Sequence, residues 1–298
     1  MKYQIPTVVI LAVLISMSCG SSGKVSLDPE SRKFYETARL IMTTEEKGIF
    51  NHLPDRESRQ EFIRDFWAKR DPDSDTEENK FKEDFFSRIE YANLHFREGI
   101  PGWKTDRGRI FIYLGPPDKI EQRPFINDPS VKGLVWWGYY RYSIGIEFVD
   151  TTGDGSYTIN RQMGSSGNLV QVIERAKFGQ IFAEGQAKFV DFDVRYNKEK
   201  KEIAVSIPAV SLVFKEEEGL LKAEFEFKFF IYQQKGFKID EFTQVKSFER
   251  TEDAIIELEE IVFTFPYDIK PGKYLFDVII DAKPEIAKAR KIIKINVT

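Results

Sequence analysis

The residues able to carry covalent or metal chemistry are few. The 298-residue chain has one cysteine, Cys19, and two histidines, His52 and His95. A lone thiol forms no internal disulfide, and this set is too small for a Cys-rich or His-rich metal centre. No Gly-x-Ser-x-Gly elbow and no Gly-x-x-x-x-Gly-Lys-Ser/Thr phosphate loop occurs. Asp71-Pro72-Asp73-Ser74-Asp75 starts like a calcium loop, but Thr76 and Lys82 stand where such a loop needs Gly and Glu. What remains is carboxylate, guanidinium and aromatic chemistry. Arg70 and Arg107 each offer a planar donor fork that suits a carboxylate, and Asp71 and Asp106 are the obvious partners. Among Asp71, Asp106 and Asp118, two carboxylates in one cleft would give a hydrolase. The run Trp136-Trp137-Gly138-Tyr139-Tyr140-Arg141-Tyr142 is the aromatic candidate. On a strand, Trp136, Gly138, Tyr140 and Tyr142 share one face, and Trp137, Tyr139 and Arg141 the other. One face is expected to pack on helices and the other to offer a platform for sugar or peptide. Trp136, Trp137 and Tyr139 are the candidates for it. No residue is assigned a catalytic or metal-binding role.

The elements that position these residues follow from composition and pattern. Hydrophobic residues make up 42% and charged residues 31%, a globular balance. The net charge is −4 without clustered basic residues, which argues against a nucleic-acid partner. At the start, Lys2 precedes an apolar run over 5–15, followed by Ser16-Met17-Ser18-Cys19-Gly20-Ser21-Ser22-Gly23. The run is shorter than the ~20 residues a bilayer span requires and fits a signal peptide. A cysteine directly after it resembles the lipobox of bacterial lipoproteins, although Ser16 stands where Leu is commonest. That resemblance implies cleavage before Cys19 and a diacylglycerol on its thiol. The expectation is a signal peptide over 1–18, a flexible tether over 19–30, and a lipid-anchored protein of the cell envelope, leaning to the outer membrane. No other cofactor is expected.

Helices are expected over 31–43, from Asp55 to about Arg70, and from Asp75, capped with Glu78, to Gly99. Period-two patterning then predicts strands over 109–114, 134–142, 144–149 and 157–161, and a helix over 168–182. From about Gln186 the texture is all β, with strands over 188–196, 202–207, 211–214, 221–233, 237–248, 256–265, 272–281 and 290–297. Lys222-Ala223-Glu224-Phe225-Glu226-Phe227-Lys228-Phe229 alternates charged and apolar groups, so each sheet of a sandwich should have one buried face. Pro271-Gly272-Lys273-Tyr274-Leu275-Phe276-Asp277-Val278 resembles the penultimate strand of immunoglobulin-like domains of bacterial surface proteins. The fold class is α+β: helices on a small antiparallel sheet over 31–182, then an immunoglobulin-like sandwich over 186–298.

Two segments are distinctive: Phe66-Trp67-Ala68-Lys69-Arg70-Asp71-Pro72, and Gly102-Trp103-Lys104-Thr105-Asp106-Arg107-Gly108-Arg109. With the Tyr91-Ala92-Asn93 and Phe96 between them, they resemble the GWxTD domain family of bacterial exported proteins. The resemblance implies an exported protein and no particular reaction. It marks Trp67, Arg70, Asp71, Pro72, Gly102, Trp103, Thr105, Asp106, Arg107 and Gly108 as signature positions. They read either as internal braces, with Thr105 and Asp106 closing a turn and the two Trp as anchors, or as a cleft with an Arg fork and a Trp face. The function expected is binding or assembly at the envelope, with a protein or glycan partner. Glycan or peptidoglycan binding through the aromatic strand and a carboxylate hydrolase are the alternatives.

Overall fold

The computed structural model describes residues 27–72, 76–123, 129–160, 168–179, 192–234, 236–284 and 287–298. Cys19 and the apolar segment before it lie outside these residues. Five helices come first: α1 (Pro29–Ala38), α2 (Thr44–His52), α3 (Arg56–Ala68), α4 (Lys80–His95) and α5 (Asp106–Leu114). Each starts at a side-chain oxygen that accepts a first-turn N–H left without a helical partner: Asp28, Thr43, Asp55, Asn79 and Thr105. Thr43 and Glu46 do so reciprocally, in a capping box. Phe34, Phe50, Phe66, Trp67, Phe81 and Phe85 bury the facing stripes of α1 to α4 in one core.

An antiparallel sheet follows in the order β1-β2-β3-β4: β1 (Lys119–Arg123), β2 (Gly133–Tyr139), β3 (Ile144–Asp150) and β4 (Thr158–Ile159). Its inner face, with Val135, Trp137, Tyr139, Ile146 and Phe148, packs on α5 and on α6 (Asn168–Lys177). The second half contributes β5 (Asp193–Asn197), β6 (Glu202–Pro208), β7 (Lys215–Glu217), β8 (Leu220–Gln233), β9 (Lys238–Arg250), α7 (Glu252–Ile256), β10 (Glu260–Pro266), β11 (Gly272–Lys283) and β12 (Ala287–Val297). A three-stranded sheet, β10-β6-β5, faces a five-stranded one in which β8 pairs with β11, β9 and β7, and β11 with β12. The core between them holds Phe225, Phe227, Phe229, Phe265 and Phe276. The architecture is α+β.

The five-stranded sheet departs from the expected one-sided pattern. Phe230 and Tyr232 of β8 and Leu275 and Ile279 of β11 point away from the sandwich core and join the core of α1 to α4. The helices therefore cover the sheet's outer face, and the middle of the sheet is buried on both sides. Five charges sit in this junction. Arg70 donates from Nη1 and Nη2 to the two oxygens of Glu46, at 2.9 and 2.7 Å. Arg290 Nη2 also reaches Glu46 Oε1 at 2.8 Å, and Arg290 Nε and Nη2 hold both oxygens of Asp277, each at 2.8 Å. Lys69 Nζ donates to Asp277 Oδ2 and to the Tyr232 hydroxyl, both at 2.7 Å. All five side chains are buried. Burial would push the Glu46 carboxyl up, but the charges of Arg70 and Arg290 outweigh it and hold it at about 2. Asp277 is likewise held below the carboxylate range by Arg290 and Lys69 against its burial.

Several expected elements differ. The stretch 109–114 is helix α5, not a strand. Ile110, Phe111, Ile112 and Leu114 are all buried, and a short helix covered on more than one side shows no 3.6-residue period. The Thr105 cap decides its start. Helix α4 begins at Lys80 under Asn79 rather than at Asp75, which lies outside the described residues. Helix α2 and strand β1 had no counterpart in the periodicity, although the Thr43-Thr44-Glu45-Glu46 capping signal marks α2. The stretch 211–214 is not a strand: Ser211 ends the 3-10 turn Ala209–Ser211, and β7 starts only at Lys215. Within 256–265, α7 ends at Ile256 before β10 starts at Glu260.

Glu46→Gln leaves Arg70 and Arg290 facing a neutral amide in a dry site, and we expect a loss of roughly 3–5 kcal/mol in urea unfolding at pH 7. The Glu46 carboxyl lies lower folded (about 2) than unfolded (4.5). Its contribution is thus complete above pH 4.5 and is lost as the pH falls toward 2. Wild-type stability should decline across that window, and the Glu46→Gln profile should be flatter.

Candidate functional site

The signature residues form two tight constructions. The first surrounds the start of α5. Gly102-Trp103-Lys104 makes a 3-10 turn, and the Thr105 hydroxyl donates to Gly102 O at 2.8 Å while accepting from Gly108 N at 3.0 Å. The chain is so close here that a Cβ on Gly102 would lie 1.8 Å from Ala92 O of α4. A Cβ on Gly108 would lie 1.9 Å from Gly102 O. Both positions require glycine because backbone occupies the space a side chain needs. Trp103 N donates to Asn93 Oδ1 at 3.3 Å, and the half-buried indole packs at the edge of the helical core under Arg39.

Arg107 and Asp106 carry this turn to the sheet. Arg107 Nε donates to Glu98 Oε1 at 2.7 Å, while Glu98 Oε2 accepts from Tyr157 N at 3.0 Å. The Arg107 guanidinium also lies 4.3 Å from the centre of the Tyr157 ring. Asp106 Oδ2 accepts from Ile159 N of β4 at 3.0 Å. The expected pairing of Arg107 with Asp106 is therefore replaced by Arg107 with Glu98. Asp106 instead satisfies an edge-strand N–H, and its other oxygen is 4.0 Å from Arg109.

The second construction is the end of α3. Trp67 is buried against Phe34 and Phe66, and its carbonyl accepts from Asn79 Nδ2 at 2.8 Å. Arg70, fully buried, pairs with Glu46 rather than with Asp71, and donates from Nε to Lys177 O at 2.7 Å. Asp71 offers its backbone carbonyl to Lys288 Nζ at 2.7 Å. Pro72 lies just beyond α3. The sequence reading missed Glu46, Glu98, Asp277 and Arg290. The capping box flags Glu46, and a lone acid inside Leu275-Phe276-Asp277-Val278-Ile279 flags a buried ion.

The aromatic run divides differently from expectation. Trp137 and Tyr139 are each 2% exposed and fill the core under the sheet, so no ligand ring reaches them. Strand β2 ends at Tyr139, and Tyr140–Tyr142 is a 3-10 turn, so Tyr142 does not continue the alternation. Trp136 lies on the opposite face of β2, half-buried, and Tyr140 is 62% exposed beside it. Asp118 Oδ2 accepts from Tyr140 N at 2.7 Å. Asp150 accepts from Thr152 N, Gly153 N and Gly155 N and so closes its turn. His95 lies tilted against Tyr91 at the end of α4, with ring centres 4.0 Å apart. A groove of about 340 Å³ at the tip of the five-stranded sheet carries Lys215, Lys222 and Lys283 against Glu217, Glu224 and Glu249, and these charges pair with one another. The described residues contain no group of three or more His, Cys, Asp or Glu placed to hold a metal ion.

The signature turn, its crossing with α4 and the Trp67–Arg70 segment agree with one family. Residues 29–176 match the model of the GWxTD domain. This part of the chain is a GWxTD domain. A comparison with curated proteins finds no match. Solved structures align at low similarity. A calcium-binding mutant of Bacteroides uniformis beta-glucuronidase 2 is 12% identical over 37% of this chain and 13% of its own length, with a TM-score of 0.20. The chicken interferon gamma receptor alpha chain is 8% identical over 57% of this chain and 68% of its own, at 0.23. Dimeric latent PorU from Porphyromonas gingivalis is 9% identical over 55% of this chain and 12% of its own, at 0.23.

In the GWxTD domain, the motif residues act on backbone at close range. Gly102→Ala must push α4 and the turn apart and should lower the melting temperature more than Thr105→Ala. The latter removes one cap and should cost ~1 kcal/mol. Thermal unfolding followed by circular dichroism ranks the two.

Proposed function

We propose that this protein is an exported, lipid-anchored module of the bacterial cell envelope that binds or assembles and does not catalyse. The observation that carries the reading is the employment of the signature side chains. Arg70, Arg107, Asp106 and Thr105 each meet a backbone or charged partner inside the fold. A carboxylate hydrolase at Asp106 is the weaker reading, because that carboxylate already accepts an edge-strand N–H. The N-terminal order supports export: Lys2, the apolar run, small residues, then Cys19 and Gly20-Ser21-Ser22-Gly23. No helix of the described residues is long and apolar enough to cross a membrane. In this reading the thiol of Cys19 carries diacylglycerol, the segment 1–18 is removed, and acyl chains supply the membrane affinity. Its partner is an envelope protein or glycan, and the outer membrane is the favoured site.

The test is metabolic labelling with an alkyne fatty acid in a bacterial host, followed by fractionation. Wild-type protein should take up label and sediment with membranes, and Cys19→Ser should lose the label. Unlabelled wild-type protein recovered in the cytosol would reject the proposal.

A further inference from the structure

The outward face of the four-stranded sheet holds an arrangement that core packing does not account for. The Trp136 indole lies across Gly138 of its own strand and Gly145 of β3. A Cβ built on Gly138 would come 2.5 Å from Trp136 Cη2, and one on Gly145 would come 2.6 Å from Trp136 Nε1. Only glycine at both positions lets the ring lie flat on the sheet. Trp136 belongs to none of the three hydrophobic cores. Among the described residues its indole N–H meets no acceptor. Tyr140 borders the same spot, since its Cε1 is 3.3 Å from the Gly138 Cβ position.

The strand register supplies the surroundings. Glu121 of β1 and Glu147 of β3 stand directly opposite Trp136, one on each side. Two strand spacings separate them, roughly 10 Å. Lys119 holds Glu121 at 2.7 Å, and Asn160 Nδ2 donates to Glu147 Oε1 at 2.7 Å. The strand position that carries this flat ring is thus flanked on both sides by carboxylates held in place. Aromatic faces are electron-rich and attract polarised C–H groups, and a few placed polar groups then fix a ligand's orientation. A pyranose has this combination: C–H bonds on its face and hydroxyls around its rim. An amphipathic helix would instead need an apolar groove, and Glu121, Lys119, Glu147 and Asn160 make the rim polar.

We propose that Trp136 and Tyr140 form a platform for a pyranose ring of a glycan chain, with Glu121 and Glu147 accepting hydrogen bonds from its hydroxyls. The proposal rests on the envelope reading above for where such a glycan is met, but not for its geometry.

The experiment uses the full chain in detergent with 5-fluorotryptophan at its four Trp positions, the Trp136 signal being assigned by Trp136→Phe. The probes are N-acetylglucosamine tetramer, cellotetraose and an α-linked mannotetraose. At least one should shift the Trp136 signal saturably and leave the buried Trp67 and Trp137 signals in place. Trp136→Ala should weaken binding by about tenfold or more, as removal of a central aromatic anchor does, with Tyr140→Ala and Glu147→Gln weakening it less. Should Trp136→Ala not fold, the wild-type signal and Tyr140→Ala decide. The proposal is overturned if none of the three saccharides moves the Trp136 signal, if binding survives Trp136→Ala, or if the signal responds only to protein concentration, which would make the face a contact between copies. Fatty-acid labelling at Cys19 does not involve Trp136. Labelled protein that ignores sugar therefore rejects this site alone, and unlabelled protein that binds sugar rejects the anchor alone.

Discussion

Five buried charges hold the helical layer to the five-stranded sheet, and the rest of the architecture is arranged around them. A charge moved out of water is tolerated only where partners meet it with good geometry. Arg70, Glu46, Arg290, Asp277 and Lys69 satisfy that requirement as a chain, each pairing with the next. The chain runs from α2 and α3 to β11 and β12, so those four elements cannot shift independently. Hydrophobic residues in the same space would give comparable stability, because desolvation offsets much of the attraction. What the ions add is orientation: an apolar contact tolerates sliding, while a two-pronged Arg–carboxylate pair has one geometry.

A steric constraint governs the signature turn in the same way. Gly102 and Gly108 let α4, the turn and α5 approach to backbone contact, and Thr105 closes the approach by donating and accepting at once. Arg107 then attaches the turn to Glu98 and the Tyr157 ring, and Asp106 attaches it to Ile159. The residue types in the motif follow from what the backbone demands at each point. A motif of this kind fixes the relation of helices to sheet.

This division of labour separates the inside of the sheet from its outside. Trp137 and Tyr139 fill the core below, and Trp136 lies flat above on two glycines, between Glu121 and Glu147. Adjacent aromatic residues thus have opposite roles because a strand turns successive side chains to opposite faces. The packed lower face holds the upper one in place.

Much was legible in the chain alone. Two rare-residue motifs named the domain, the alternation at 222–229 placed β8 and its core, and Asp55 marked the start of α3. The same alternation placed Trp136 and Trp137 on opposite faces. It left open which face was covered, since both carry aromatic groups. The helix at Asp106–Leu114 was hidden, because burial on several sides erases the period that distinguishes helix from strand. Arg70 and Arg107 were recognisable as carboxylate partners, yet their actual acceptors, Glu46 and Glu98, were not the acids next to them in sequence. Local order determined which groups needed partners and where strands and caps would form. Only the tertiary structure decided which partners met and which ring reached solvent, because both depend on contacts between segments far apart along the chain.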